Sequence, residues 1–240
     1  MSRSIEIAAK DRILEVTLAT PPDNRLTPGT MEGLNEAIDR FEADDLDVMV
    51  ITGSRRTFSK GFDVDVIKSH RDPVKLRPVL LLSNWVFSRI ARSPKLTIAA
   101  ISGACLGGGL ELAMACHLRV CTEKARLGLP EVWINLIPGL GGFYRLTRLV
   151  GAAKALELVA LGDLITAEEA LRLNIVSRVF PQGEFPERVA SFVGALANAD
   201  QKVIRELIRL AACSTTLGEE DNIRRGAEGF VELASCLPAT

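Results

Sequence analysis

The chain has 240 residues, 48% hydrophobic and 25% charged, a balance that predicts a globular protein with one large core. Its net charge is −1 and no run of five like charges occurs, which argues against a nucleic-acid or membrane-surface partner. The longest uncharged stretches, Leu96 to Leu110 and Val132 to Tyr144, are too short to span a bilayer, and Met1 to Glu6 holds no apolar segment of signal-peptide length. Five cysteines, an odd number without a C-x-x-C pair, sit mostly among apolar residues, as expected of a reduced, cytoplasmic protein.

In chain order, Ser4 to Lys10 and Arg12 to Thr20 alternate polar and apolar residues, predicting an antiparallel hairpin. Thr27-Pro28 offers an N-cap and a first-turn proline, and Met31, Leu34, Ala37, Ile38 and Phe41 recur at helical spacing, so a helix is expected from about Pro28 to Ala43. Val48 to Thr52 is a continuous apolar run, the mark of a strand buried on both faces. The loop Phe58-Ser59-Lys60-Gly61-Phe62-Asp63 follows, in which Gly61 frees the backbone to aim the Phe62 N–H at a ligand or simply turns the chain. From Pro73 to Ser93 a second long helix is predicted, starting or kinked near Pro78, with Trp85 and Phe87 in the core or on a pocket wall.

Ile98 to Leu118 forms the centre of the pattern: a strand-length apolar run, a break at Gly103, three glycines (Gly107, Gly108, Gly109), then an apolar helical segment holding one carboxylate, Glu111. A helix starting there directs unpaired N–H groups into the turn, or the glycines serve packing alone. Short strands are expected at Leu118 to Cys121 and Arg126 to Leu129, followed by Pro130-Glu131 among apolar residues and the turn Pro138-Gly139-Leu140-Gly141-Gly142. Thr166 to Glu169 reads as a capping box, Asn174 as the left-handed residue closing that helix, and Ile175 to Phe180 as a strand. Beyond Phe185 only helical periodicity remains, which divides the chain into 1–185, a catalytic core, and 186–240, a helical subdomain.

No glycine run has dinucleotide-binding or P-loop spacing, and no G-x-S-x-G occurs. Only two histidines, His70 and His117, are present, too few to support a nucleophile–histidine pair or a zinc site, and His117 is expected to be a hydrogen-bonded structural residue. Two loops able to present N–H groups and two glutamates in apolar settings remain.

Ile98 to Leu118 resembles the glycine-rich signature of the crotonase superfamily (enoyl-CoA hydratase/isomerase) through its whole length. Further landmarks fall in order: Asn24-Arg25-Leu26-Thr27, Val50 to Gly53, Phe58 to Asp63, Leu129-Pro130-Glu131, Ile137 to Gly142 and Ala167 to Ala170, covering roughly residues 5 to 215. The resemblance implies an α/β fold, a spiral of ββα units followed by a C-terminal helical region used for trimerisation, and a homo-trimer or hexamer. It also implies an acyl-CoA thioester substrate, no metal, and no cofactor beyond the coenzyme A carried by that substrate.

By motif position, the backbone N–H groups of Phe62 and Gly108 are the implied oxyanion donors. Glu111 is the implied base and Glu131 the implied acid of an enoyl-CoA hydratase. Ser59, Lys60, Gly61, Asp63, Gly107, Gly109, Pro130, Gly139 and Phe143 are expected around the substrate, with Phe62 and Phe143 narrowing the acyl pocket. The helix start is expected to favour the ionised form of Glu111, and apolar surroundings the protonated form of Glu131. A double-bond isomerase, a hydrolase, a decarboxylase and a non-catalytic assembly or RNA-binding relative are the alternatives.

Overall fold

Asp11 and Arg12 both adopt positive φ, 49° and 64°, the geometry of a two-residue hairpin turn, and fold β1 (Ile5–Lys10) antiparallel onto β2 (Ile13–Leu18). The structure, a computed structural model, describes residues 4–53, 56–69, 72–214 and 216–237. Helix α1 (Pro28–Ala43) has the bounds its sequence predicts, with the Thr27 hydroxyl accepting from the Thr30 N–H and the Thr30 hydroxyl accepting from the Thr27 N–H. Its buried face, Met31, Leu34, Ala37, Ile38 and Phe41, follows the predicted stripe.

The chain then winds as a spiral in which each turn gives one strand to each of two sheets before a helix returns it. The first turn holds β3 (Val48–Thr52), β4 (Thr57–Ser59), α2 (Val64–Ser69) and α3 (Pro73–Ala91). The second holds β5 (Leu96–Ile101), β6 (Ala104–Leu106) and α4 (Gly108–Ala115). The third holds β7 (Leu118–Thr122), β8 (Arg126–Gly128), a 3₁₀ turn (Pro130–Ile134), α5 (Gly142–Val150) and α6 (Ala152–Leu161). After β9 (Ile165–Thr166), α7 (Ala167–Arg172) and β10 (Arg178–Phe180), three helices finish the chain: α8 (Phe185–Ala197), α9 (Gln201–Cys213) and α10 (Glu219–Ala234). The large sheet has the order β1-β2-β3-β5-β7-β10 and the small one β4-β6-β8-β9. Within them β3, β5 and β7 are parallel, as are β4, β6 and β8.

Alternation along the central strands divides their side chains between two cores. Met49, Ile51, Ala99 and Ile101 point inward with α1, α3 and α4, whereas Val48, Val50, Leu96, Ile98 and Ala100 meet Phe185 and Val193 of α8 and Ile204 and Ile208 of α9. Burial on both faces is why these strands read as unbroken apolar runs. Among the described residues no helix is long and apolar enough to cross a membrane, and all five cysteines are free.

Helix α3 begins at Pro73 as expected, capped by Asp72, and Pro78 lies inside it rather than at its start. Three expectations change. Trp85 is half exposed on α3 beneath the Arg89 guanidinium, neither core nor pocket wall, whereas Phe87 is fully buried. The strand expected at Ile175 to Phe180 pairs only from Arg178, because Ile175 and Val176 are apolar for packing rather than for pairing. Thr166 caps α7 through the Glu169 N–H, but the Glu169 carboxylate turns to Arg172, so the box is half formed; Asn174 is left-handed as expected, with φ 58°. Removing the Thr27 hydroxyl leaves the first turn of α1 uncapped, so Thr27→Ala should lower the unfolding free energy in urea by about 1 kcal/mol. An unchanged denaturation midpoint would contradict that role.

Candidate active site

The small sheet brings three loops together. Its parallel strands β4, β6 and β8 end at Ser59, Leu106 and Gly128, and directly beyond them lie Gly61-Phe62, Gly107-Gly108 and Pro130-Glu131. Ligands of parallel α/β sheets gather at such carboxyl ends. A Cβ built on Gly108 would stand 3.2 Å from the Phe62 nitrogen, so the two backbone N–H groups are close neighbours. The Leu26–Phe62 bridge uses the Gly61 carbonyl and the Asp63 N–H, and Gly108 opens α4 without a side-chain cap. Among the described residues neither the Phe62 nor the Gly108 N–H donates a hydrogen bond, so a pair of donors is left for a ligand.

Glu111, only 2% exposed, enters from the first turn of α4. Its Oε1 accepts from the Leu140 N–H at 2.7 Å and the Gly142 N–H at 2.8 Å, at the start of α5. A Cβ at position 142 would stand 2.6 Å from Glu111 Cγ, so this approach requires glycine there. Burial, and next the nearby Glu131, push the Glu111 carboxyl up to about 7, against the opposing pull of the two N–H groups and Arg145. This reverses the expected lowering by the helix start: desolvation outweighs the α4 dipole. Glu131, in the 3₁₀ turn, is also raised by burial, as expected, and its Oε2 is buried without a hydrogen-bond partner among the described residues.

Both glutamates line one cavity of about 590 Å³ together with Phe62 and Gly108. Lys60, Gly107, Pro130 and Gly139 of the expected set also line it. Ser59 lies behind, its hydroxyl bonded to the Asn24 carbonyl and the Gly61 N–H; Gly61 and Gly109 pack the loops against β6 and β4. Asp63 accepts from the Asp65 N–H and Phe143 is 40% exposed on α5; neither is among the residues that line this cavity. His117 hydrogen-bonds through Nδ1 to Thr97, and His70 lies outside the described residues.

Sequence reasoning did not place Leu76, Leu80, Trp133, Leu136 and Ile137 together on an apolar wall, because elements far apart in the chain bring them there, and it missed Arg145 because it assigned no element between Phe143 and Leu164. Leu146 and Leu149 carried a helical signal there. A larger cleft, about 1120 Å³, lies between the large sheet and α8; it contains neither glutamate and neither donor.

The chain belongs to the enoyl-CoA hydratase/isomerase family, whose model matches residues 8–233, and is thus an enzyme of crotonase type. It is 36% identical over 231 residues to a probable enoyl-CoA hydratase of Bacillus subtilis, covering 95% of this chain and 90% of that one. A peroxisomal fatty acid beta-oxidation multifunctional protein of Arabidopsis thaliana is 40% identical over 177 residues, 72% of this chain, but the match spans only 24% of that protein. The fold superposes on an enoyl-CoA hydratase of Geobacillus kaustophilus with a TM-score of 0.91 at 32% identity, covering 97% of this chain and 89% of that one. A putative enoyl-CoA hydratase of Thermobifida fusca, solved in complex with CoA, gives 0.88 at 25% identity, with 98% and 95% covered.

Carrying a charge on Glu111 costs stability. An unfolded glutamate titrates near 4.5 and this one near 7, so between those values the folded protein binds more protons and loses stability as pH rises. Glu111→Gln should therefore melt above the parent near pH 8, by roughly 3 kcal/mol at full effect, and lose that advantage below about pH 4.5. A parent that melts as high as the variant near pH 8 would refute the burial cost.

Proposed function

We propose that the protein is an enoyl-CoA hydratase, adding water across the 2,3 double bond of an enoyl-CoA thioester to give the 3-hydroxyacyl-CoA. The observation that carries this reading is the convergence of two glutamates and two unused backbone N–H donors on one largely apolar cavity. A thioester carbonyl becomes an oxyanion when C3 is attacked, and the Phe62 and Gly108 N–H groups stabilise that charge; loss of one such donor typically costs about 2.7–4 kcal/mol.

Water sits between the carboxyl groups. Glu111, ionised, removes its proton as the oxygen attacks C3, and Glu131, protonated, delivers a proton to C2. Mutual repulsion and burial favour one shared proton near neutral pH, which gives an acid and a base from the same side-chain type. The unsatisfied Glu131 Oε2 supports a role in holding that water. Arg25 and Lys60 on the cavity wall supply positive charge for the anionic coenzyme A end. So written, the reaction calls on no metal or cofactor, and the free cysteines suit a reducing, cytoplasmic setting.

Mass spectrometry of an enoyl-CoA panel tests the reaction: a gain of one water with coenzyme A retained is expected. Unchanged mass with altered absorbance would mean isomerisation, and released coenzyme A hydrolysis. Glu111→Gln and Glu131→Gln should each lower kcat by about 10²–10⁴-fold. Because the residues act as a unit, the double variant should lose less than the product of the single losses. Near-parental hydration in either folded variant would sink the two-glutamate assignment.

We further propose a homo-trimer or hexamer built on the C-terminal helices. Leu207 of α9 and Ile223, Phe230 and Val231 of α10 are more than half exposed, apolar surface of the kind that association covers. Light scattering should return a multiple of three chains; a monomer would overturn this.

A further inference from the structure

Arg145, in the first turn of α5, is half-buried and takes part in no ion pair among the described residues. Its Nη1 donates instead to the Leu140 carbonyl at 2.7 Å. Leu140 is also the residue whose N–H binds Glu111 Oε1, so one peptide segment is held from its carbonyl side by an arginine and presents its N–H to a carboxylate. Gly141 makes this possible. Its φ is +84°, and a Cβ there would stand 2.7 Å from Arg145 Nη1, so a side chain would push the guanidinium off the turn.

The charged groups that act on Glu111 are Glu131, from the 3₁₀ turn, which disfavours its charge, and Arg145, from α5, which favours it. Arg145 feels the reciprocal attraction of Glu111. The Gly142 and Leu140 N–H groups favour the charge most, and the guanidinium is the cationic group that adds to them. Neither the glycine-rich loop nor the two N–H donors supply a full positive charge.

We propose that Arg145 is a positioning residue for Glu111: it clamps the Leu140 carbonyl so that the Leu140 and Gly142 N–H groups both meet Oε1, and it sets a positive charge beside the carboxylate that must ionise to act as base. The inference rests on the reading of Glu111 as that base. Arg145 acts through Glu111 and the 140–142 turn and needs no contact with substrate.

The test is the pH dependence of kcat/KM for hydration, whose acidic limb reports ionisation of the base in the free enzyme. In Arg145→Met the limb should move to higher pH, the direction expected when an opposite charge and the clamp on the Leu140 carbonyl are both removed. Activity should recover toward the parent's at a pH well above the limb. Arg145→Lys, which keeps the charge, should hold the limb near the parent's position.

Gly141→Ala, which displaces the guanidinium without removing it, should move the limb in the direction of Arg145→Met and decides the question if that variant fails to fold. A ¹³C-glutamate NMR titration of the same proteins reads the Glu111 carboxyl without activity. A limb and a titration unmoved in folded Arg145→Met, or in Gly141→Ala where Met does not fold, would overturn the proposal. Glu111→Gln in the same assay separates the two readings. If it still hydrates, the assignment of the base has failed; if it does not and the limb stays fixed, the role of Arg145 has failed.

Discussion

The parallel pairing of β4, β6 and β8 is the constraint from which the site follows. Neighbouring strands lie about 4.8 Å apart, so loops that leave their carboxyl ends in the same direction are held within contact of one another. Each of these strands belongs to a different turn of the spiral, and the loops bring different groups: Phe62 from the first, Gly108 and Glu111 from the second, Glu131 from the third. The large sheet, buried on both faces, fixes the rise between turns through the register Val48 to Leu96 and Ile98 to Leu118. Backbone N–H groups placed in this way are as rigid as the sheet that carries them, which is why the site uses peptide donors where a flexible cation would also supply charge.

Around that frame the electrostatics run against the fold. Two carboxyl groups share a largely apolar cavity, and burial raises both. The structure answers with partial compensation, most of it at Glu111: two N–H groups at the start of α5 and one arginine. At Glu131 a single backbone hydrogen bond opposes burial, and Oε2 has no partner among the described residues. Backbone support is thus unequal between two identical side chains that face one cavity.

Much of the frame was legible in the sequence, for physical reasons that also mark where legibility ended. Helix α1 was readable to the residue because its cap, its proline and its apolar stripe are all local. Strand β3 was readable because burial on both faces leaves an unbroken apolar run. The strand at Ile175 was overextended, since an apolar residue packed under a loop looks the same as one in a ladder. Glu111 shows the limit most clearly. Its position and neighbours were plain, and local reasoning from the α4 helix start favoured its charge, but its exposure and two of its hydrogen bonds depend on residues 140 and 142. A contact across about thirty residues cannot be read from a helix dipole. The place of Phe143 was not legible for the same reason: adjacency to Gly142 in sequence does not fix which side of α5 faces the cavity.

The division of labour among the turns has a consequence for chemistry. The donors depend on β4 and β6 and on the start of α4, and neither glutamate takes part in that geometry except through the backbone of Glu111, whose N–H bonds to the Gly107 carbonyl. The two glutamate side chains are thus added to a pair of backbone donors whose placement does not depend on them. This chain buries one carboxyl group almost fully, ties it to the Leu140 and Gly142 N–H groups and sets an arginine of α5 on the same turn, so the groups that oppose the cost of its charge all come from residues 140–145.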